Sequence, residues 1–150
     1  MISVGLNVAG ALVQFANGAH GSLEVCRVIQ GHKCQMAFDV EGTGGALSWD
    51  FERMNELQVF CPDGKAAHDG YTRIVTGPEH PFHARFNPGY GVGLSYEDLK
   101  TIEMQQFVNS VIEQRQGEPG FADARRVAEV LAAIERSWHT ERWEQITSVG

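Results

Sequence analysis

Leu12-Val13-Gln14-Phe15-Ala16-Asn17-Gly18-Ala19-His20-Gly21-Ser22-Leu23-Glu24-Val25-Cys26-Arg27 decides the fold, because two runs of near-alternating polarity flank an Asn-Gly pair. Asn-Gly is the strongest short hairpin signal, since a type I′ turn needs positive φ at both central residues. The alternation continues: Cys34, Met36, Phe38 and Val40 fall on one side of a strand pattern, with Gln35, Ala37, Asp39 and Glu41 on the other. The cluster Gly42-Thr43-Gly44-Gly45 turns the chain into Ala46-Leu47-Ser48-Trp49-Asp50-Phe51. Leu57, Val59 and Cys61 then carry the period to Pro62-Asp63-Gly64, and Tyr71 to Val75 adds a further strand. The pattern predicts a meander of antiparallel strands over about 9–75. Its apolar residues occupy positions of both parities, which predicts a sheet with two apolar faces, one of them needing a partner.

Outward from the meander, a loop rich in proline and glycine occupies 77–95, and after it the period becomes helical. Leu99, Ile102, Met104, Phe107, Val108, Val111 and Ile112 form a broad apolar stripe over about 97–116, with Ser95 as cap and Asp98 in the positive first turn. Gly117-Glu118-Pro119-Gly120 ends it. Asp123 reads as the cap of a second helix over about 123–139, carrying Val127, Val130, Leu131 and Ile134, and a short strand over 143–147 closes the chain. The expected architecture is a single α+β domain over 1–150, an open antiparallel or mixed sheet with two main helices packed on one face.

Bulk properties narrow the function. A net charge of -7, with only twelve Lys and Arg, supplies no basic stripe for phosphates, so neither nucleic acid nor an anionic membrane surface is an expected partner. No apolar run approaches the roughly 18 residues of a membrane span, and the N-terminus lacks the features of a secretion signal, so the cytoplasm is the expected compartment. Cys26, Cys34 and Cys61 make an odd count without a Cys-x-x-Cys pair and read as reduced core residues.

Two groups of residues together resemble a known family: Phe15 to Glu24 with Gly42-Thr43-Gly44-Gly45-Ala46-Leu47-Ser48-Trp49-Asp50, and later Ser95-Tyr96-Glu97-Asp98-Leu99, Phe107, Phe121-Ala122-Asp123-Ala124 and Arg142-Trp143. In order and spacing they are similar to the second domain of the Gfo/Idh/MocA oxidoreductases, whose fold is dihydrodipicolinate-reductase-like. The resemblance implies descent from two-domain NAD(P)-dependent dehydrogenases of sugars, inositols or related polyols, in which this domain walls the substrate and pairs subunits. Ala124 replaces a usual Gly, Trp138 a usual small residue and Glu141 a Gly before Arg-Trp.

The sequence has no strand followed by Gly-x-Gly-x-x-Gly and a helix, and Gly89-Tyr90-Gly91-Val92-Gly93 has the wrong spacing and context. The Glu-Lys-Pro motif that carries the family's catalytic lysine is also absent, as is its upstream Asp/His pair. No catalytic or cofactor-binding residue is therefore assigned, and NAD(P) is expected only in full-length relatives. Candidate substrate contacts are Arg27, Asp50, Arg53 and Tyr96, polar groups that can project toward a hydroxyl-rich ligand or sit at a subunit interface. His80 and His83 are too few for a zinc shell, and no metal site is expected. His20 reads as a satisfied strand residue. Glu97, Asp98, Asp50, Glu52 and Glu103 read as caps and solvated faces.

The expected function is a free-standing substrate-wall and oligomerisation domain without catalysis of its own. The alternative is a stand-alone sugar- or polyol-binding or scaffold protein, and a third class is a hydrolase using the loop histidines. Expected partners are a second copy in a homodimer or tetramer through the open sheet face, a small polar ligand, and a separate nucleotide-binding chain.

Overall fold

The structure is a computed structural model that describes residues 7–62, 64 and 69–146. Among the described residues, six strands and three α-helices follow in the order β1 (Val8–Gln14), β2 (His20–Cys26), β3 (Ala37–Gly42), β4 (Gly45–Asp50), β5 (Glu56–Phe60), β6 (Thr72–Val75), α1 (His83–Phe86), α2 (Tyr96–Ile112) and α3 (Phe121–Thr140), with a 3₁₀ turn at Phe51–Arg53. The class is α+β. The strands form two antiparallel groups, the pair β1-β2 and the sheet β3-β4-β5-β6. The chain divides into two compact units: the stretch to Gly31 joined with that from Gln114 onward, and His32–Glu113.

In the first unit, β1 and β2 pair from Val8↔Cys26 to Gln14↔His20. The Asn17-Gly18 signal marks the hairpin, but the turn is not type I′. Gly18 donates to the Phe15 carbonyl at 2.9 Å and Phe15 to that of Ala19 at 2.8 Å, closing a three-residue loop in which Gly18 alone has positive φ, at 87°. A β-turn followed by a left-handed glycine is the next commonest hairpin connection, and it asks nothing unusual of Asn17, whose Oδ1 accepts from Ala19 N–H. α3 begins at Phe121, two residues before the expected start. Asp123 is therefore not its cap; its carboxylate reaches back from the first turn to accept the Gly120 N–H at 2.8 Å. Ala133 is buried on this helix, and Glu141 ends it in the left-handed region. Residues 143–146 run irregularly where the closing strand was expected, and position 147 lies outside the described residues.

In the second unit the register corrects the expectation of two apolar faces. The two-residue connection Thr43-Gly44 joins Gly42 to Gly45, which reverses the parity through β4 and β5, and the β5–β6 register reverses it back in β6. Phe38 therefore pairs with Trp49, Val40 with Leu47, Leu47 with Val59, and Leu57 with Ile74. Directly opposed residues of an antiparallel pair share a face, so these apolar residues all lie on one side. Phe38 and Trp49 confirm it with ring centroids 5.6 Å apart. Gly45 is required where it stands: its φ is 146° and a Cβ there would run into the Phe60 carbonyl.

Ser95 caps α2 as the sequence predicts, its Oγ accepting from Asp98 N–H while Asp98 accepts from Ser95 N–H at 2.8 Å. The helix ends at Ile112 rather than at 116, because Gln114 takes positive φ. The loop over 77–95 contains the single turn α1, which the sequence pattern did not reveal. Two cysteines correct the core reading: Cys34 and Cys61 are exposed and lie outside the strands, and Cys26 is half-buried.

Candidate functional site

The face of the four-stranded sheet opposite Trp49 is built from the alternate residues. Asp39 pairs with Ser48, Ser48 with Gln58 and Gln58 with Arg73, giving one polar row across all four strands. Strands lie about 4.8 Å apart, so the backbone ladder fixes the spacing of these side chains. Asp39, Ser48, Gln58 and Tyr71 line a shallow hollow on this face, of about 290 Å³. Tyr71 stands just before β6, with its ring 6.4 Å from that of Phe60. Beside the row, Glu56 lies 3.7 Å from the Arg73 guanidinium through Oε1, while its Oε2 is shielded from solvent and has no hydrogen-bond partner.

The four expected substrate contacts are not joined to one another by any hydrogen bond or ion pair among the described residues. Asp50 ends β4 on the polar side and caps the 3₁₀ turn, its Oδ1 accepting Glu52 N–H at 2.9 Å. Arg53 is exposed in that turn. Tyr96 opens α2, 55% exposed, with the Lys100 ammonium 5.6 Å from its ring centroid. Arg27 belongs to the first unit, directly after β2, and its N–H bonds the Asn7 carbonyl. The hollow lined by Asp39, Ser48, Gln58 and Tyr71 was missed. Polar residues interrupt the apolar alternation at each of the three strand positions, but only the register brings them together.

Two polar clamps shape the same unit. Asn55, between the 3₁₀ turn and β5, donates to the Leu94 carbonyl at 2.9 Å and accepts from Leu94 N–H at 2.8 Å and Thr76 Oγ1 at 3.3 Å. A side chain at Gly93 would occupy the space of the Asn55 amide, so the approach needs glycine. This clamp holds the segment that leads to Ser95 and Tyr96. Glu52 accepts N–H bonds from Lys33 and Cys34 and lies 3.5 Å from His32 Nδ1. The Cys34 amide, then the Lys33 amide, hold its carboxyl below the usual carboxylate range, and His32 adds to the effect.

The loop histidines serve backbone geometry. His80 Nδ1 accepts the Gly77 N–H at 3.0 Å, and His83 Nδ1 lies 3.0 Å from the Pro81 carbonyl. Their rings sit edge to face at 5.9 Å. Among the described residues no three His, Cys, Asp or Glu side chains gather as a metal shell.

Comparison with known proteins follows the fold. No protein-family model matches the sequence. Levoglucosan dehydrogenase of Pseudarthrobacter phenanthrenivorans is 33% identical over 138 residues, which is 92% of this chain and 35% of that protein. The structure of levoglucosan dehydrogenase in complex with NADH and L-sorbose superimposes with a TM-score of 0.88 at 32% identity, over 95% of this chain and 38% of that one. An oxidoreductase domain protein from Kribbella flavida matches with a TM-score of 0.85 at 34% identity, over 94% of this chain and 38% of that one. The chain thus spans just over a third of the length of the relatives it matches. The motifs about Asn17 and Gly44, the α+β class and these matches agree: over nearly its whole length the chain is similar to the second domain of Gfo/Idh/MocA-type oxidoreductases.

Proposed function

We propose that the chain is the substrate-wall and assembly domain of a system related to NAD(P)-dependent sugar or polyol dehydrogenases, and that it does not transfer hydride by itself. The observation that carries this reading is the likeness, across 95% of the chain, to a dehydrogenase whose structures hold NADH with levoglucosan or with L-sorbose. In this reading the nucleotide binds elsewhere, on another part of the protein or on a separate chain, and Arg27, Asp50, Arg53 and Tyr96 remain the proposed substrate contacts. Assembly is supported by apolar residues that the chain leaves exposed: Met36 at 62% just before β3, Phe38 at 50% and Val40 at 56% on the apolar sheet face, and Met104, Phe107 and Val111 along α2. The proposed partner is a second copy, giving a dimer or tetramer. Three unpaired cysteines suit the reducing cytoplasm.

A second reading, a stand-alone sugar- or polyol-binding protein, is favoured by one observation, the unpartnered polar hollow on the sheet. Thermal melting of the chain with NADH, levoglucosan and L-sorbose tests both. A ligand at a hundredfold its Kd adds about 2.7 kcal/mol to the folded state. Under either reading NADH leaves the midpoint unchanged; a polyol that raises it selects the second, and polyol silence with self-association selects the first. A rise with NADH alone contradicts both.

A further inference from the structure

We propose that the outer side of α2 is a self-association surface, against which a second copy of the chain lays its own α2 antiparallel about a two-fold axis. This surface deepens the assembly reading above and rests on it. α2 is apolar on opposite sides. At about 100° per residue, Leu99 and Ile102 fall on the inner side, where Ile102 is buried, while Met104, Val108 and Val111 recur at four- and three-residue spacing on the other side and are exposed, with Phe107 beside them. A helix with apolar residues all round is one that is covered all round, and the described residues cover only the side of Ile102. Lys100, Thr101, Met104, Gln105, Val108 and Asn109 line an open groove of about 490 Å³ along the uncovered side.

The stripe is complementary to itself. In an antiparallel pair centred at the level of Gln106, Met104 of one helix meets Val108 of the other and Thr101 meets Val111, each contact being made twice. The groove then receives Met104 of the second copy against Val108, and an unbranched, flexible side chain suits an irregular slot. Charge selects the antiparallel sense. A parallel pair would set Glu97 against Glu97, Lys100 against Lys100 and Glu113 against Glu113, all like charges. The antiparallel pair instead brings Lys100 of each copy to the C-terminal turn of the other, the negative end of the helix dipole, where Glu113 is the cap and the last turn carries no basic residue of its own. Lys100 meets Glu103 at 2.7 Å within its own chain, but both side chains are exposed, and an ion pair of that kind is weak enough to be exchanged for a new one.

Light scattering coupled to size exclusion, on the wild-type chain and on Val108→Glu and Phe38→Glu, separates this surface from the sheet face. The expected result is a dimer for the wild type and for Phe38→Glu, and a dissociation constant raised at least about a hundredfold by Val108→Glu, because each dimer would then hold two unpaired carboxylates against apolar surface. Val108 is exposed in the single chain, so circular dichroism should show the helix content of that variant unchanged. A second measurement needs no change in the stripe. A spin label on Glu97→Cys, in a chain whose Cys26, Cys34 and Cys61 are serine, is mixed with isotope-labelled wild-type chain and should broaden the amides of Val111 to Glu113 of the other copy. Broadening about Tyr96 to Lys100 instead would overturn the antiparallel pair. Dissociation by Phe38→Glu, or a dimer that Val108→Glu leaves unchanged, would overturn α2 as the surface while leaving self-association intact. A monomeric wild-type chain would overturn both.

Discussion

Removing the Asn55 side chain takes both backbone partners from Leu94 and the hydroxyl contact from Thr76, three part-buried hydrogen bonds. At roughly 1 kcal/mol each, Asn55→Ala should cost about 2–3 kcal/mol, read as a lower urea midpoint with an unchanged slope. Glu52 gives a prediction with a sign. Its carboxyl is lowered by the Cys34 amide first, then the Lys33 amide and His32, so its contribution to stability is complete above the ordinary value of 4.5 and fades as pH falls through the lowered native value. Hydrogen exchange should show the Lys33 and Cys34 amides protected at neutral pH and opening only in acid below 4.5, whereas Glu52→Ala, which removes the acceptor, should leave them open throughout. Protection in the Ala variant equal to that of the native chain would mean that the loop is held by something else. Neither clamp is legible in the sequence: Asn55 belongs to none of the motifs, and Glu52 reads as one of the caps and solvated faces. Their partners lie 39 and 18 residues away, and no local period reports such pairings.

At the scale of elements, much was legible because local rules determine it. Ser95 and Asp98 sit three apart before an apolar stripe, and the capping box forms as the spacing requires. Ser95→Ala should therefore cost about 1 kcal/mol and reduce helical circular dichroism, with loss concentrated in the first turn of α2. Gly42 to Gly45 read correctly as a turn between strands. What the alternation could not supply was the register. Met36, Phe38, Leu47, Trp49, Leu57 and Val59 have mixed parity in sequence, and only the two residues Thr43-Gly44 place Phe38 beside Trp49 on one face. The same register assembles the row from Asp39 to Arg73, so the hollow was hidden by the step that misdirected the expectation of two apolar faces. α1 was illegible for a different reason: a single turn over His83–Phe86 is too short to show a helical period.

For the whole molecule, family and fold class were readable from ordered motifs, while assembly and ligand remain matters of surface. Among the described residues no helix is long and apolar enough to cross a membrane. Exposed Met36, Phe38 and Val40, with Met104, Phe107 and Val111 on α2, are a large apolar investment for a chain of 150 residues with a net charge of -7. The proposed wall-and-assembly role would cover them. The most direct test is size exclusion coupled to light scattering on the purified chain. The account predicts a stable species of twice 16.5 kDa or more, persisting on dilution; a well-behaved monomer of 16.5 kDa at all concentrations would contradict it.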